Sequence, residues 1–147
     1  MIADIRKIDV RTARQIRHTV LRPHQEPWEI VFDGDDEPDT LHIGAFRGEE
    51  MVGIASVMRE SLPGEDDAVA WRVRGMATLP EVRGQGYGGA LLERCLTHVA
   101  DHGGHGVWCN ARVDAAPFYR RYGFESVGGV FELPAIGPHV VMRRSVV

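Results

Sequence analysis

Cysteine is scarce in this chain. Cys95 and Cys109 are too few for a disulfide framework and are read as reduced thiols of a cytoplasmic protein. Long apolar runs are missing as well: none approaches the roughly 18 residues that span a membrane. The first seventeen residues hold no continuous apolar stretch of the kind a signal peptide needs. Nor is there an excess of basic charge. A formal net charge of −4 and a pI near 6.0 argue against a nucleic-acid-binding module, whose surface is usually basic. No internal repeat, low-complexity tract or linker interrupts the chain. The expectation is one soluble domain over residues 1–147, large enough to bury a core without a structural metal, with neither membrane nor nucleic acid as a partner.

What is present is a hydrophobic period that changes repeatedly along the chain. Residues 2–8 alternate and suggest a first strand. From Thr12 the apolar residues Ala13, Ile16, Val20 and Leu21 recur at helical spacing, and Pro23 ends that helix. The stretch 32–40, FDGDDEPDT, reads as an acidic loop. Strand-like runs follow at 41–47 and 51–60, joined by a short turn at Gly48-Glu49-Glu50, and then at 68–79. A glycine-dense segment opens into a helix whose apolar face is Ala90, Leu91, Cys95, Leu96 and Val99, ended by Gly103-Gly104. A strand at 106–112, a helix from an N-capping Asp114 to Gly123, and strands around 124–127 and 140–143 complete a mixed α/β pattern.

The glycine-dense segment, Arg83-Gly84-Gln85-Gly86-Tyr87-Gly88-Gly89, carries the clearest chemistry. Lying between a strand and a helix, it offers unpaired backbone N–H groups and the positive end of the helix dipole, with missing side chains to let a phosphate approach. A P-loop is excluded, because the segment ends in Gly-Gly-Ala without the lysine and hydroxyl that hold phosphate and Mg²⁺. Gly84, Gly86 and Gly89 do match G-x-G-x-x-G. The following strand, however, ends in Cys109-Asn110 rather than an acidic residue, and too little chain remains for the second half of a dinucleotide-binding sheet.

Read as R-x-x-G-x-G over Arg83, Gly86 and Gly88, the same loop resembles the acyl-CoA signature of the GCN5-related N-acetyltransferases, the GNAT superfamily. Leu79-Pro80-Glu81-Val82 just upstream resembles the bridge into that loop, and Phe118 to Phe124, FYRRYGF, resembles the family's F-Y-x-x-x-G-F element. Arg17, Val20, Gln25, the run 33–36, Thr40, His42 and Gly137-Pro138-His139 are similar to a branch of small bacterial members. The resemblance implies the GNAT acyl-CoA N-acyltransferase fold in the order β-α-α-β-β-β-α-β-α-β-β, and acetyl-CoA as co-substrate. It further implies that Met76, Ala77 and Thr78 run beside the pantetheine arm and that the backbone of Gly84, Gln85, Gly86, Tyr87, Gly88 and Gly89, with Arg83, cradles the pyrophosphate. Asn110 and Phe118 would flank the pantetheine. The implied activity is transfer of an acetyl group to a primary amine of a small molecule or peptide. The alternative is a domain of the same kind that binds acyl-CoA without turnover, as sensor or partner.

Such a transfer needs a neutral amine, an aligned and polarised thioester, and a proton for the departing thiolate. Tyr119, placed by the resemblance beside the sulfur, is the candidate general acid; its presence favours the enzyme over the binder. For the acceptor side the candidates are Arg17 and Arg22, as anchors for an anionic group, and His42 and His139, as histidines able to titrate near neutrality. A metal is not expected: His98, His102 and His105 straddle a helix end without a zinc-ligand spacing. A covalent acyl-cysteine is not expected either, since Cys95 falls on a buried helix face and Cys109 within a strand. The apolar tail leaves room for a homodimer.

Overall fold

The computed structural model describes residues 3–21, 30–67 and 69–146. Strand β1 (Asp4–Lys7) leads to helix α1 (Val10–Ile16). The helix starts two residues earlier than its apolar period suggests, because Asp9 caps it: its carboxylate accepts from the Thr12 amide at 2.7 Å. A single π-helical turn, Arg17–Leu21, continues α1. Arg22 and Pro23 lie outside the described residues. Strands β2 (Leu41–Arg47), β3 (Glu50–Arg59) and β4 (Ala70–Thr78) form an antiparallel meander; α2 (Tyr87–Asp101) follows, and then β5 (Gly106–Arg112). Helix α3 (Ala116–Arg121) and the hairpin β6 (Glu125–Leu133) and β7 (Gly137–Ser145) complete the described chain.

The seven strands make one mixed sheet in the order β1-β2-β3-β4-β5-β7-β6, with β4 and β5 the parallel pair. Three α-helices occur among the described residues, one fewer than expected. The interval for the second expected helix, between α1 and β2, includes residues 22–29, which are outside the description. Asp114 is not an N-cap. It lies within a 3-10 turn, Val113–Ala115, and α3 begins at Ala116 with Ala115 as its cap; Pro117 sits in the first helical turn, where no backbone N–H is required.

Alternation divides each strand between the two faces of the sheet. Ala55 and Val57 of β3, Trp71 and Val73 of β4, Val107, Cys109 and Ala111 of β5, and Val140 and Met142 of β7 pack with Leu91, Leu92, Cys95, Leu96 and Val99 of α2 in one core cluster. Tyr119 and Phe124 join it from α3 and the turn after it. The intervening residues, Ile54, Ser56 and Met58 of β3 among them, are equally buried on the other face, beneath α1, the π turn and the loop 30–40.

Candidate active site

The middle of the sheet is split. Strands β4 and β5 share only three ladder pairs, Ala70↔Gly106, Trp71↔Val107 and Arg72↔Trp108. Beyond them, residues 73–78 and 109–112 run on without pairing to one another, although β4 stays paired with β3 as far as Thr78 and β5 with β7 as far as Arg112. The result is a wedge-shaped gap lined by strand backbone. A bulge reshapes its β4 wall: Ile54↔Ala77 and Ser56↔Arg74 leave Gly75 and Met76 opposite Ala55 alone. Gly75 has φ +61°, and a Cβ there would lie 2.9 Å from Nε of Arg17, so only glycine fits. The extra residue turns Met76 into the core and keeps Ala77 on the opposite face.

At the core side of this gap stands Tyr119. Its ring is wedged among Phe118 and Phe124, at centroid distances of 5.1 and 5.5 Å, and it is 8 % exposed. The hydroxyl points at the Met76 thioether, 3.7 Å away, a weak acceptor. Burial, with smaller effects from Cys109 and Cys95, holds the phenol well above its ordinary range, so it is protonated at any physiological pH. Both thiols are themselves pushed up to about 12, chiefly by burial. Neutral, enclosed thiols are poor nucleophiles.

At the open end of the gap, β4 passes through a 3-10 turn, Pro80–Val82, into the glycine segment and α2. Gly84 and Gly86 have φ of +81° and +93°, and nothing lies within 4 Å of where a Cβ would stand. The first helical bond runs from the Ala90 amide to the Gly86 carbonyl, so the amides of Tyr87, Gly88 and Gly89 precede the ladder at the positive end of a fifteen-residue dipole. Arg83 is exposed beside them. Not every glycine serves the opening. A Cβ on Gly89 would lie 1.8 Å from the Tyr122 hydroxyl, so that residue makes room for packing, and the Tyr87 side chain is buried in the core. Phe118 rests against the helix start at Gly88. Asn110 lies on β5 past its last pair with β4, on the face opposite Cys109.

The acceptor-side candidates separate in space. Arg17 is fully buried, and its guanidinium is consumed by the fold. Nη1 donates to Asp35 Oδ2 at 2.8 Å and to the Ile30 carbonyl, and Nη2 to Asp35 Oδ1 at 3.0 Å and Ser56 Oγ at 2.9 Å, while the group stacks 4.0 Å over Phe32. His42 closes the same network. Its Nε2 donates to the Asp35 carbonyl at 2.9 Å and its Nδ1 meets Ser56 Oγ at 2.6 Å, so neither nitrogen is left over. Burial works against the Asp35 charge, but the Arg17 hydrogen bonds and the Phe32 amide outweigh it and hold the carboxyl below its usual range. Sequence reasoning met Asp35 only as part of the acidic 33–36 run and missed Ser56. His139 lies elsewhere, on β7, 4 % exposed. Among the described residues, no group of three or more His, Cys, Asp or Glu side chains is placed to hold a metal, and no helix is long and apolar enough to cross a membrane.

A split sheet beside a glycine-rich helix start invites comparison with known proteins. Residues 10–145 match the family model described as "Acetyltransferase (GNAT) domain". The chain is 35% identical over 142 residues to the "Uncharacterized N-acetyltransferase YitI" of Bacillus subtilis (strain 168), covering 97% of this chain and 95% of that protein. Among solved structures, Escherichia coli ElaA superposes with a TM-score of 0.79 at 21% identity, over 97% of this chain and 99% of ElaA. An aminoglycoside 6'-N-acetyltransferase complexed with coenzyme A gives 0.71 at 17% identity, over 100% of this chain and 98% of that one.

Proposed function

Because the chain belongs to the GNAT acetyltransferase family, we propose that it moves an acetyl group from acetyl-CoA to a primary amine by direct transfer in a ternary complex. The observation that carries this reading is Tyr119: a protonated phenol, aimed at a sulfur, on the core side of a gap between strands. In the proposed complex the pantetheine arm lies along the unpaired edge of β4 and bonds to Met76, Ala77 and Thr78, with Asn110 and Phe118 flanking it. The backbone of Gly84 to Gly89 holds the pyrophosphate, with Arg83 beside it. That a solved enzyme of this shape binds coenzyme A supports the cofactor.

The chemistry follows from the environment of each group. Alignment of amine and thioester in one cleft supplies several kcal/mol of the barrier, on the order of 7–11 in the best intramolecular cases. Backbone N–H groups at the β4 bulge polarise the thioester carbonyl. As the C–N bond forms and the C–S bond breaks, the Tyr119 hydroxyl donates to the departing sulfur. A phenol held this far above its ordinary range is a weak acid, so it acts first as a hydrogen-bond donor. Its proton transfers as the attacking nitrogen returns one to the phenolate. Direct transfer is favoured over an acyl-cysteine because Cys95 and Cys109 are neutral and enclosed.

We further read the chain as one catalytic domain over residues 1–147, working in the cytoplasm on a small-molecule or peptide amine. Calorimetry with acetyl-CoA, free CoA and NADH tests the cofactor, and a thiol-release assay across a panel of primary amines tests the reaction. One-to-one binding of both CoA species and not NADH, with amine-dependent thiol release, is the expected result. Failure to bind either CoA species overturns the reading. Binding with no release for any amine leaves the non-catalytic acyl-CoA binder in its place.

A further inference from the structure

Among the described residues two histidines are buried on the face turned away from α2; His42 has both ring nitrogens committed and His139 does not. Nδ1 of His139 lies 2.7 Å from the Gly137 carbonyl. A carbonyl can only accept, so Nδ1 carries the hydrogen and the Nε2 lone pair is left as the basic site. Gly137 fixes that carbonyl from a backbone at φ +113° that other residues rarely adopt. Among the described residues Nε2 has no hydrogen-bond partner, in a residue that is 4 % exposed.

The sheet register gives this lone pair a direction. In the β5–β7 ladder Arg112 faces His139, Asn110 faces Val141 and Ala111 faces Val140. Val140 and Ala111 belong to the core that holds Tyr119, so His139 and Asn110 project from the opposite face. His139 therefore stands one strand in from the gap, at the end of β5 where β4 has already parted from it. Tyr119 meets the gap from one face of the sheet, and His139 lies on the other face, one strand away from it beside Arg112. We infer that His139 is the general base of the acceptor side, its Nε2 taking the proton from the incoming ammonium directly or through one water. This rests on the acetyl-transfer reading above.

The proton count closes. An ammonium acceptor brings three protons on nitrogen and the amide keeps one. The first goes to His139 and on to solvent, and frees the lone pair that forms the C–N bond. The second leaves the attacking nitrogen to replace the one Tyr119 gives to sulfur as the C–S bond breaks. On β5 the charged group facing His139 is Arg112, and on β6 its neighbour is the Phe131 ring, 6.0 Å away. Glu132 pairs with Pro138 on the alternate face, and Arg143, further along β7, is held by Glu65.

The test combines H139Q, H139A and wild type. With an amine that wild type acetylates, H139Q is expected to lower kcat/KM by about 10²–10³. Added imidazole is expected to restore part of the activity of H139A. Calorimetric affinity for acetyl-CoA is expected to stay within about twofold of wild type, which shows that the variants are folded. Long-range ¹H–¹⁵N spectra of the imidazoles give a readout independent of turnover: Nδ1–H at His139 and Nε2–H at His42. An H139Q variant within about threefold of wild type, or an Nε2–H tautomer at His139, overturns the assignment and leaves the transferase reading standing. A wild type that binds acetyl-CoA but acetylates no amine overturns both.

Discussion

Replacing Arg17 with methionine keeps most of the aliphatic stem and removes the guanidinium from beneath Asp35. The carboxylate is then left with the Phe32 amide at 3.0 Å and a long contact to Arg14 at 3.4 Å, in a site where its side chain has no solvent exposure. Removing one partner of a buried ion pair costs about 3–5 kcal/mol, because the survivor is stranded in a medium that solvates it poorly. Against a total stability of about 5–15 kcal/mol that is a large share, and for a chain of this size it lowers the melting temperature by roughly 6–20 °C. Urea or thermal unfolding at neutral pH measures it. The double variant R17M/D35N, with no stranded charge, is expected to be more stable than R17M alone. The pH dependence has a fixed sign. Asp35 has a depressed folded-state pKa, so its contribution is fully present above the unfolded carboxyl value of about 3.9. It is lost as the pH falls through the folded value, and R17M lacks this component of acid unfolding. An R17M protein within about 1 kcal/mol of wild type, no less stable than R17M/D35N and with a raised KM for the amine, would refute the reasoning. It would return Arg17 to the acceptor pocket that sequence reading proposed.

Three further outcomes are expected. Y119F binds acetyl-CoA as wild type does but turns over about 10²–10⁴-fold more slowly; unchanged turnover in a thiol-release assay removes the acid role. G86V places a β-branched residue at φ +93° and a side chain in the space beside the helix amides, so affinity for acetyl-CoA and free CoA falls by the same factor, at least about tenfold. Unaltered calorimetric affinity shows that the anion sits elsewhere. Cys95 and Cys109, both buried and protonated, resist iodoacetamide in the native protein and react on unfolding; rapid native alkylation, read by mass spectrometry, contradicts their enclosure.

Local rules reached most of this architecture. Strands 41–47 and 106–112 were legible to the residue, because alternation and flanking turns mark both ends. The helix starting in the glycine segment was legible from its apolar face. Helix starts fared worse where two signals compete: capped by Asp9, α1 begins two residues ahead of the apolar period, and Asp114 has the chemistry of a cap but not the backbone for one. The site divides in the same way. Gly84 and Gly86 announce an open loop at positive φ, because that is a property of the local backbone. Arg17 and His42 carry no such mark. Whether a buried cation holds a substrate or a neighbouring loop depends on Asp35 and Ser56, 18 and 39 residues from Arg17, and sequence spacing does not encode that meeting. An isolated glycine within the β4 run was the one available signal for the bulge at Gly75.

The three ladder pairs between β4 and β5 also bear on what a ligand in the gap does for the fold. A sheet stitched so briefly at its centre has two interior margins, 73–78 and 109–112, whose amides facing the gap lack the mutual shielding of a full ladder. Such margins belong to the least protected part of a fold. A ligand that lies along them adds to native stability by mass action, about 2.7 kcal/mol at a hundredfold excess over its dissociation constant. On the proposed reading, acetyl-CoA is then as much a seam as a substrate. On that reading the share of molecules open to unfolding, and so to proteolysis, falls as the supply of acetyl-CoA rises.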